Sequence, residues 1–167
     1  MAHPAVTLNT GFDMPILGLG AFAGGQGEAT VVERYLSKPL SHGGAIQPLD
    51  GGPADWEEDC EAAVCAAIDA GYRAIDTAFI YGTEPAVGRA VAAKIADGTV
   101  TREELFITSK LTQAHHEPAL VEPALRRSLA NLGMEYVDLW LVHAPYGVSR
   151  RPPPWRNRTP RAASRAP

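Results

Sequence analysis

The sequence predicts an α/β fold on a parallel sheet, about four strand–helix units long and preceded by a β-hairpin. Short apolar stretches (YRAID, LFITSK, YVDLWLVH) recur, separated by segments with helical patterning. Glycine and proline punctuate the boundaries between them. Strand alternating with helix in this way is the pattern of right-handed βαβ units and a parallel sheet.

Taken in order, residues 5–20 alternate and turn at Thr10-Gly11, which predicts a hairpin leading into a first buried strand at about Ile16–Leu19. Residues 23–57 contain GGQG, SHGG and LDGGPAD and lose all periodicity. They read as an irregular insertion with a short helix around Ala29–Leu36, and order returns at about Asp55. EEDCEAAVCAAIDAG predicts an Ala-rich helix holding Ala62, Val64, Ala66, Ile68 and Ala70, stopped by Gly71. After the YRAID strand, a second helix opens near Glu84-Pro85 and stops near Gly98. LFITSK is the next strand. A third helix follows, with an apolar face of Leu120, Ala124, Leu125, Leu129 and Leu132. YVDLWLVH closes the series.

Composition sets a second boundary. All 19 acidic residues precede position 150, against nine of the 15 basic ones, so the first 149 residues carry a net charge of −10. The last 18 hold six arginines, five prolines and no acid. Pro152, Pro153 and Pro154 forbid helix and central strand alike, so 150–167 is expected to be a disordered Arg/Pro-rich tail outside a 1–149 domain. Isolated arginines among prolines are a weak signature of a nucleic-acid arm, and nucleic acid is not an expected partner. No apolar run reaches the roughly 18 residues of a membrane span, and the N-terminus lacks the basic and apolar regions of a secretory signal. A cytoplasmic protein without membrane contact is the default expectation. Cys60 and Cys65 lie five apart on different helix faces, fitting neither a zinc pair nor a CxxC redox motif, so no metal is expected.

In parallel α/β folds reactive groups gather where strands end and the next loop begins. Asp76 ends YRAID, Tyr81 lies in the following loop, Lys110 ends LFITSK and His143 ends YVDLWLVH. Each alone has an ordinary explanation: a helix cap, a packing ring, a solvated amine, a structural imidazole. On successive strand ends they suit general-acid chemistry. Tyrosine, with an ordinary pKa near 10, exchanges protons slowly at neutral pH unless a cation stands beside it. Lys110 would be that cation, Asp76 would hold it, and His143 would orient a substrate oxygen. GLGAFA satisfies the GxGxxA dinucleotide pattern. However, no convincing helix opens there and no strand-end acid follows about 20 residues on, so a Rossmann site is not expected. A Schiff-base role for Lys110 would leave Tyr81 and His143 without a task.

DTAFIYGTE, LFITSKL and LRRSLANLGMEYVDLWLVHAP resemble consecutive motifs of the aldo-keto reductase family, and FDMPILGLGAF resembles its N-terminal hairpin and first strand. The resemblance covers residues 6–22 and 58–147. It implies a partial TIM (β/α)8 barrel, with Asp76, Tyr81, Lys110 and His143 as the catalytic tetrad and Tyr81 as proton donor. It further implies NADPH as cofactor, with Gly20, Ala21, Phe22 and Asp76 facing the nicotinamide. The implied reaction is reduction of an aldehyde or ketone to an alcohol, with a small carbonyl compound as substrate. The family pattern continues for four more strand–helix units beyond the last matching motif. The alternative expectation is therefore a truncated, non-catalytic half-barrel that acts as a fragment or an interaction module, self-associating through an open sheet edge.

Overall fold

Parallel strands cannot be joined by a tight turn, so each must be followed by a crossover segment that returns the chain to the same end of the sheet. In this chain those crossovers are helices. The structure, a computed structural model, describes residues 4–22 and 54–147. Strands β1 (Ala5–Thr7) and β2 (Asp13–Pro15) form the predicted hairpin, with Thr7 opposite Asp13 and the turn closed at Gly11. There follow β3 (Gly18–Gly20), helix α1 (Ala54–Asp69), β4 (Ala74–Asp76), α2 (Glu84–Ala96), β5 (Phe106–Leu111), α3 (Pro118–Leu132) and β6 (Leu139–Val142). Strands β3, β4, β5 and β6 lie in that order in one sheet, every neighbouring pair parallel. The expected helix at Ala29–Leu36, most of the irregular insertion and the 150–167 tail lie outside the described residues.

Three expectations are corrected. The first strand occupies Gly18–Gly20 and is not buried: Ile16 and Leu17 are exposed, and only Leu19 packs against the core. Among the described residues no strand pairs with β3 on that edge of the sheet. Residues 54–57, read as the end of the irregular stretch, form the first turn of α1. The third correction concerns α3, whose buried stripe is Ala124, Ser128 and Leu132; Leu120, Leu125 and Leu129 are only half-buried. Spacing of four residues gives one straight row on a helix surface. Two of its three residues are small, and the third, Leu132, meets α2 at Gly88.

The core lies between the sheet and the helices. Val64 and Ile68 of α1, Val87 and Val91 of α2, Ile75 of β4, Ile107 of β5 and Leu132 of α3 are all buried. Arg89 of α2 clasps α1 from outside through Glu57 and Glu61 at 3.0 and 2.7 Å. Asp138 sets the β5–β6 register. One carboxylate oxygen accepts from the Ile107 N–H at 2.8 Å and from the Arg102 guanidinium at 2.8 Å. Helix α3 tolerates Pro123 in its interior. An interior proline costs about 3 kcal/mol of helix stability, whereas the exposed Arg126–Glu122 pair returns about 0.5. Packing of the buried stripe therefore holds this helix, not its intrinsic preference. No helix among the described residues is long and apolar enough to cross a membrane.

Gly88 sets the α2–α3 distance: a Cβ placed there would meet the Leu132 carbonyl oxygen at 2.3 Å. Gly88→Ala should therefore destabilise the fold by about 2 kcal/mol despite the roughly 1 kcal/mol gain in helix preference. Chemical denaturation checks this, and a neutral or stabilising result would contradict the close approach.

Candidate active site

The parallel register places the site. Asp76, the last residue of β4, pairs with Thr108 of β5. Side chains two apart on a strand share a face, so Lys110 projects on the side of Asp76, one pleat further along. Its ammonium donates to Asp76 Oδ1 at 2.5 Å, to the Thr77 carbonyl at 3.0 Å and to Tyr81 Oη at 3.3 Å. The Lys110 side chain is 13% exposed, whereas Asp76 is 46% exposed. A cation this enclosed needs protein acceptors in place of water, and three are supplied.

Tyr81 reaches this cation through one turn of 3-10 helix, Phe79–Tyr81, closed by Gly82 at φ +72°, in the left-handed region that favours glycine. Two threonines pin the loop. Thr83 Oγ1 donates to the Ala21 carbonyl at 2.8 Å, and the Thr77 and Thr83 hydroxyls are 3.2 Å apart. With the Thr83 proton committed to Ala21, Thr77 is the donor between them. The Ala21 N–H also bonds the Asp76 carbonyl at 2.8 Å. The segment after β3 and the Tyr81 loop are thus tied together by buried hydrogen bonds.

His143 follows β6 directly, and its N–H bonds the Leu111 carbonyl at 3.0 Å. Its ring stands edge-on to Tyr81, centroids 5.5 Å apart and planes at 86°. Phe22 packs edge-on against the same phenol at 4.9 Å. His143 Nδ1 is buried and has no hydrogen-bond partner among the described residues. Burial pushes the imidazole pKa below its ordinary 6.5; the Lys110 cation adds to this, and Asp76 partly opposes it. A neutral imidazole beside a phenol, an ammonium and a carboxylate can orient an oxygen by donation without being charged.

All four strand-end residues therefore meet at one rim. Of the residues expected toward the nicotinamide, Asp76 and Phe22 are at this rim. Gly20 has nothing within 4 Å of where a Cβ would stand, so the sheet is open there. Ala21 is buried with both backbone polar groups engaged, shaping the rim from behind. Thr77, Thr83, Glu84, Ser109 and Asn131 were not singled out in the sequence. Their signal was a short polar side chain within a strand (Ser109) and a Thr-Glu pair opening a helix (Thr83-Glu84).

The family model of the aldo/keto reductase family matches residues 44–152. The chain belongs to this family. Human aldo-keto reductase family 1 member C2 is 42% identical over 146 residues, covering 87% of this chain. Rho crystallin of Rana temporaria is 42% identical over 147 residues, or 88% of this chain. A Bombyx mori aldo-keto reductase, crystallised in complex with NADP, superposes with a TM-score of 0.68 at 37% identity, covering 90% of this chain and 41% of that one. The likeness confirms the α/β fold and makes the four-stranded sheet a part of a (β/α)8 barrel. This aldo-keto reductase chain spans 36% of the length of each of these two sequence relatives.

With the pKa of His143 lowered, the unfolded chain takes up this proton before the folded one does. Stability associated with His143 is then present above about pH 6.5 and is lost as pH falls through the lower folded pKa. NMR titration should place the His143 imidazole below 6.5, and His143→Gln should flatten that part of the stability profile. Titration of His143 above 6.5 would contradict the burial.

Proposed function

We propose that this chain carries the proton-donating half of an NADPH-dependent carbonyl reductase, converting an aldehyde or ketone to an alcohol. The observation that carries this reading is the Lys110 ammonium within hydrogen-bond reach of both Asp76 and Tyr81. The open sheet at Gly20, the exposed Phe22 and the half-exposed Asp76 carboxylate suit the nicotinamide end of the cofactor. NADPH, when bound, supplies the hydride.

The chain's own residues handle the oxygen and its proton. His143, kept neutral by burial, donates a hydrogen bond that orients the carbonyl oxygen toward Tyr81. Tyr81 gives its phenolic proton to that oxygen as negative charge develops there. The phenolate left behind keeps its bond from Lys110, whose positive charge stabilises it without a change in geometry. Asp76 and the Thr77 carbonyl hold the ammonium on its other side, so it cannot swing away from the phenol. Two free cysteines, Cys60 buried and Cys65 half-buried, agree with a reducing cytoplasmic setting.

A second reading is favoured by the sheet edges. Val142 of β6 and Ile16 and Leu17 beside β3 are exposed, and among the described residues both strands lack an outer neighbour. Apolar edges of this kind support pairing with a second copy and an interaction role. Light scattering separates a defined dimer from a monomer.

NADPH titration should quench intrinsic fluorescence. Tyr81→Phe should leave that binding intact while lowering aldehyde reduction by about 10²- to 10⁴-fold, the ordinary contribution of a general acid. Absence of NADPH binding at millimolar concentration would overturn the reductase reading for this chain.

A further inference from the structure

Behind the rim, on the helix-facing side of the sheet, lies a buried carboxylate that the proposed chemistry does not use. Glu84, the first residue of α2, is 1% exposed. Its Oε1 accepts from the Ser109 hydroxyl at 2.7 Å and its Oε2 from the Asn131 amide at 2.8 Å. Both partners are neutral donors, and the carboxylate stands at the helix N-terminus, where the backbone dipole favours negative charge. A buried acid with one donor on each oxygen is held in a single geometry, since losing either bond would leave a desolvated oxygen.

Its place in the chain gives this geometry a consequence. Glu84 follows Tyr81 by three residues, and Ser109 immediately precedes Lys110. Ser109 and Lys110 point to opposite faces of β5. The hydrogen bond on the helix side therefore fixes the strand whose other face presents the ammonium to the phenol. Asn131 extends the link to α3. One turn along α2, Gly88 lets the Leu132 carbonyl approach closely, which brings the neighbouring Asn131 within reach of Glu84.

We propose that Glu84 is a positioning residue for the Lys110–Tyr81 pair, clamping β5 and the Tyr81 loop together through Ser109 and Asn131. The proposal rests on the reading of that pair as the acid of a reductase, but its test requires neither cofactor nor turnover. Three lysines are present in the chain, and Lys94, ion-paired with Asp69 and Asp97 at the far end of α2, is an internal reference for Lys110.

The full chain is labelled with trace acetic anhydride, and each lysine is read by peptide mass spectrometry. In Glu84→Ala the Lys110-to-Lys94 labelling ratio should rise roughly tenfold, since both hydrogen bonds are lost at about threefold each. Glu84→Gln keeps an acceptor for Ser109, and the Asn131 amide can turn its carbonyl to the new NH2 group, so labelling should stay at the wild-type ratio. Ser109→Ala should raise the ratio about threefold, losing one of the two bonds. If Glu84→Ala unfolds, absolute labelling of Lys94 rises with that of Lys110, and the milder Ser109→Ala then decides. An unchanged ratio in Ser109→Ala together with an unchanged or merely parallel response in Glu84→Ala overturns the proposal. So does a Glu84→Gln variant that behaves like Glu84→Ala. Failure to bind NADPH would remove the reductase reading while leaving the labelling result in place.

Discussion

An ammonium group taken largely out of water must be solvated by the protein, and much of this structure answers that requirement at Lys110. Its three acceptors come from three places: the end of β4, the first carbonyl beyond it, and the turn that follows. Removing any one of them would leave this largely enclosed ammonium with one acceptor fewer, partly offset by water reaching the half-exposed Asp76 side. The parallel register of β4 and β5 is what makes the arrangement reachable, because it sets Asp76 and Lys110 on the same face one pleat apart. Tyr81 is then held by the same cation that would stabilise its phenolate.

Polar groups behind the rim do as much as those on it. The Thr77–Thr83–Ala21 chain closes the Tyr81 loop against the segment after β3. The Glu84–Ser109–Asn131 cluster joins the start of α2, the middle of β5 and the end of α3. These groups lie on the helix side of the sheet, inside otherwise apolar surroundings, and each is satisfied by another protein group. Satisfied networks of this kind specify one arrangement, because any shift would strand a buried donor or acceptor. Close helix packing, with Gly88 against Leu132 and small residues along α3, keeps the network short enough to close.

Much of the site was legible in the sequence because its residues sit at strand ends, and strand ends are marked by where apolar stretches stop. Asp76, Lys110 and His143 each follow such a stretch directly, and Tyr81 lies in the loop between two of them. Ser109 and Glu84 were not legible. A serine inside a strand and a glutamate opening a helix have ordinary local explanations, and their meaning depends on being neighbours across 25 residues of chain. Ala21, expected toward the nicotinamide, has a buried side chain, and its backbone is bonded to Asp76 and Thr83, a contact between segments far apart in sequence.

By itself the sequence determined the order of strands and helices, the helix boundaries at Glu84 and near Gly98, and the collection of reactive groups at one end of the sheet. Local periodicity and helix-terminating residues are sufficient for these, since they depend on neighbours along the chain. Tertiary structure alone decided which face of α3 is buried, that Ile16 and Leu17 are exposed, and which neutral side chains secure the rim. Those features are set by the distance between elements far apart in sequence. Where α2 and α3 come close enough to exclude a Cβ at Gly88, the backbone of Leu132 fills the space, and no pattern along one helix records the position of the other.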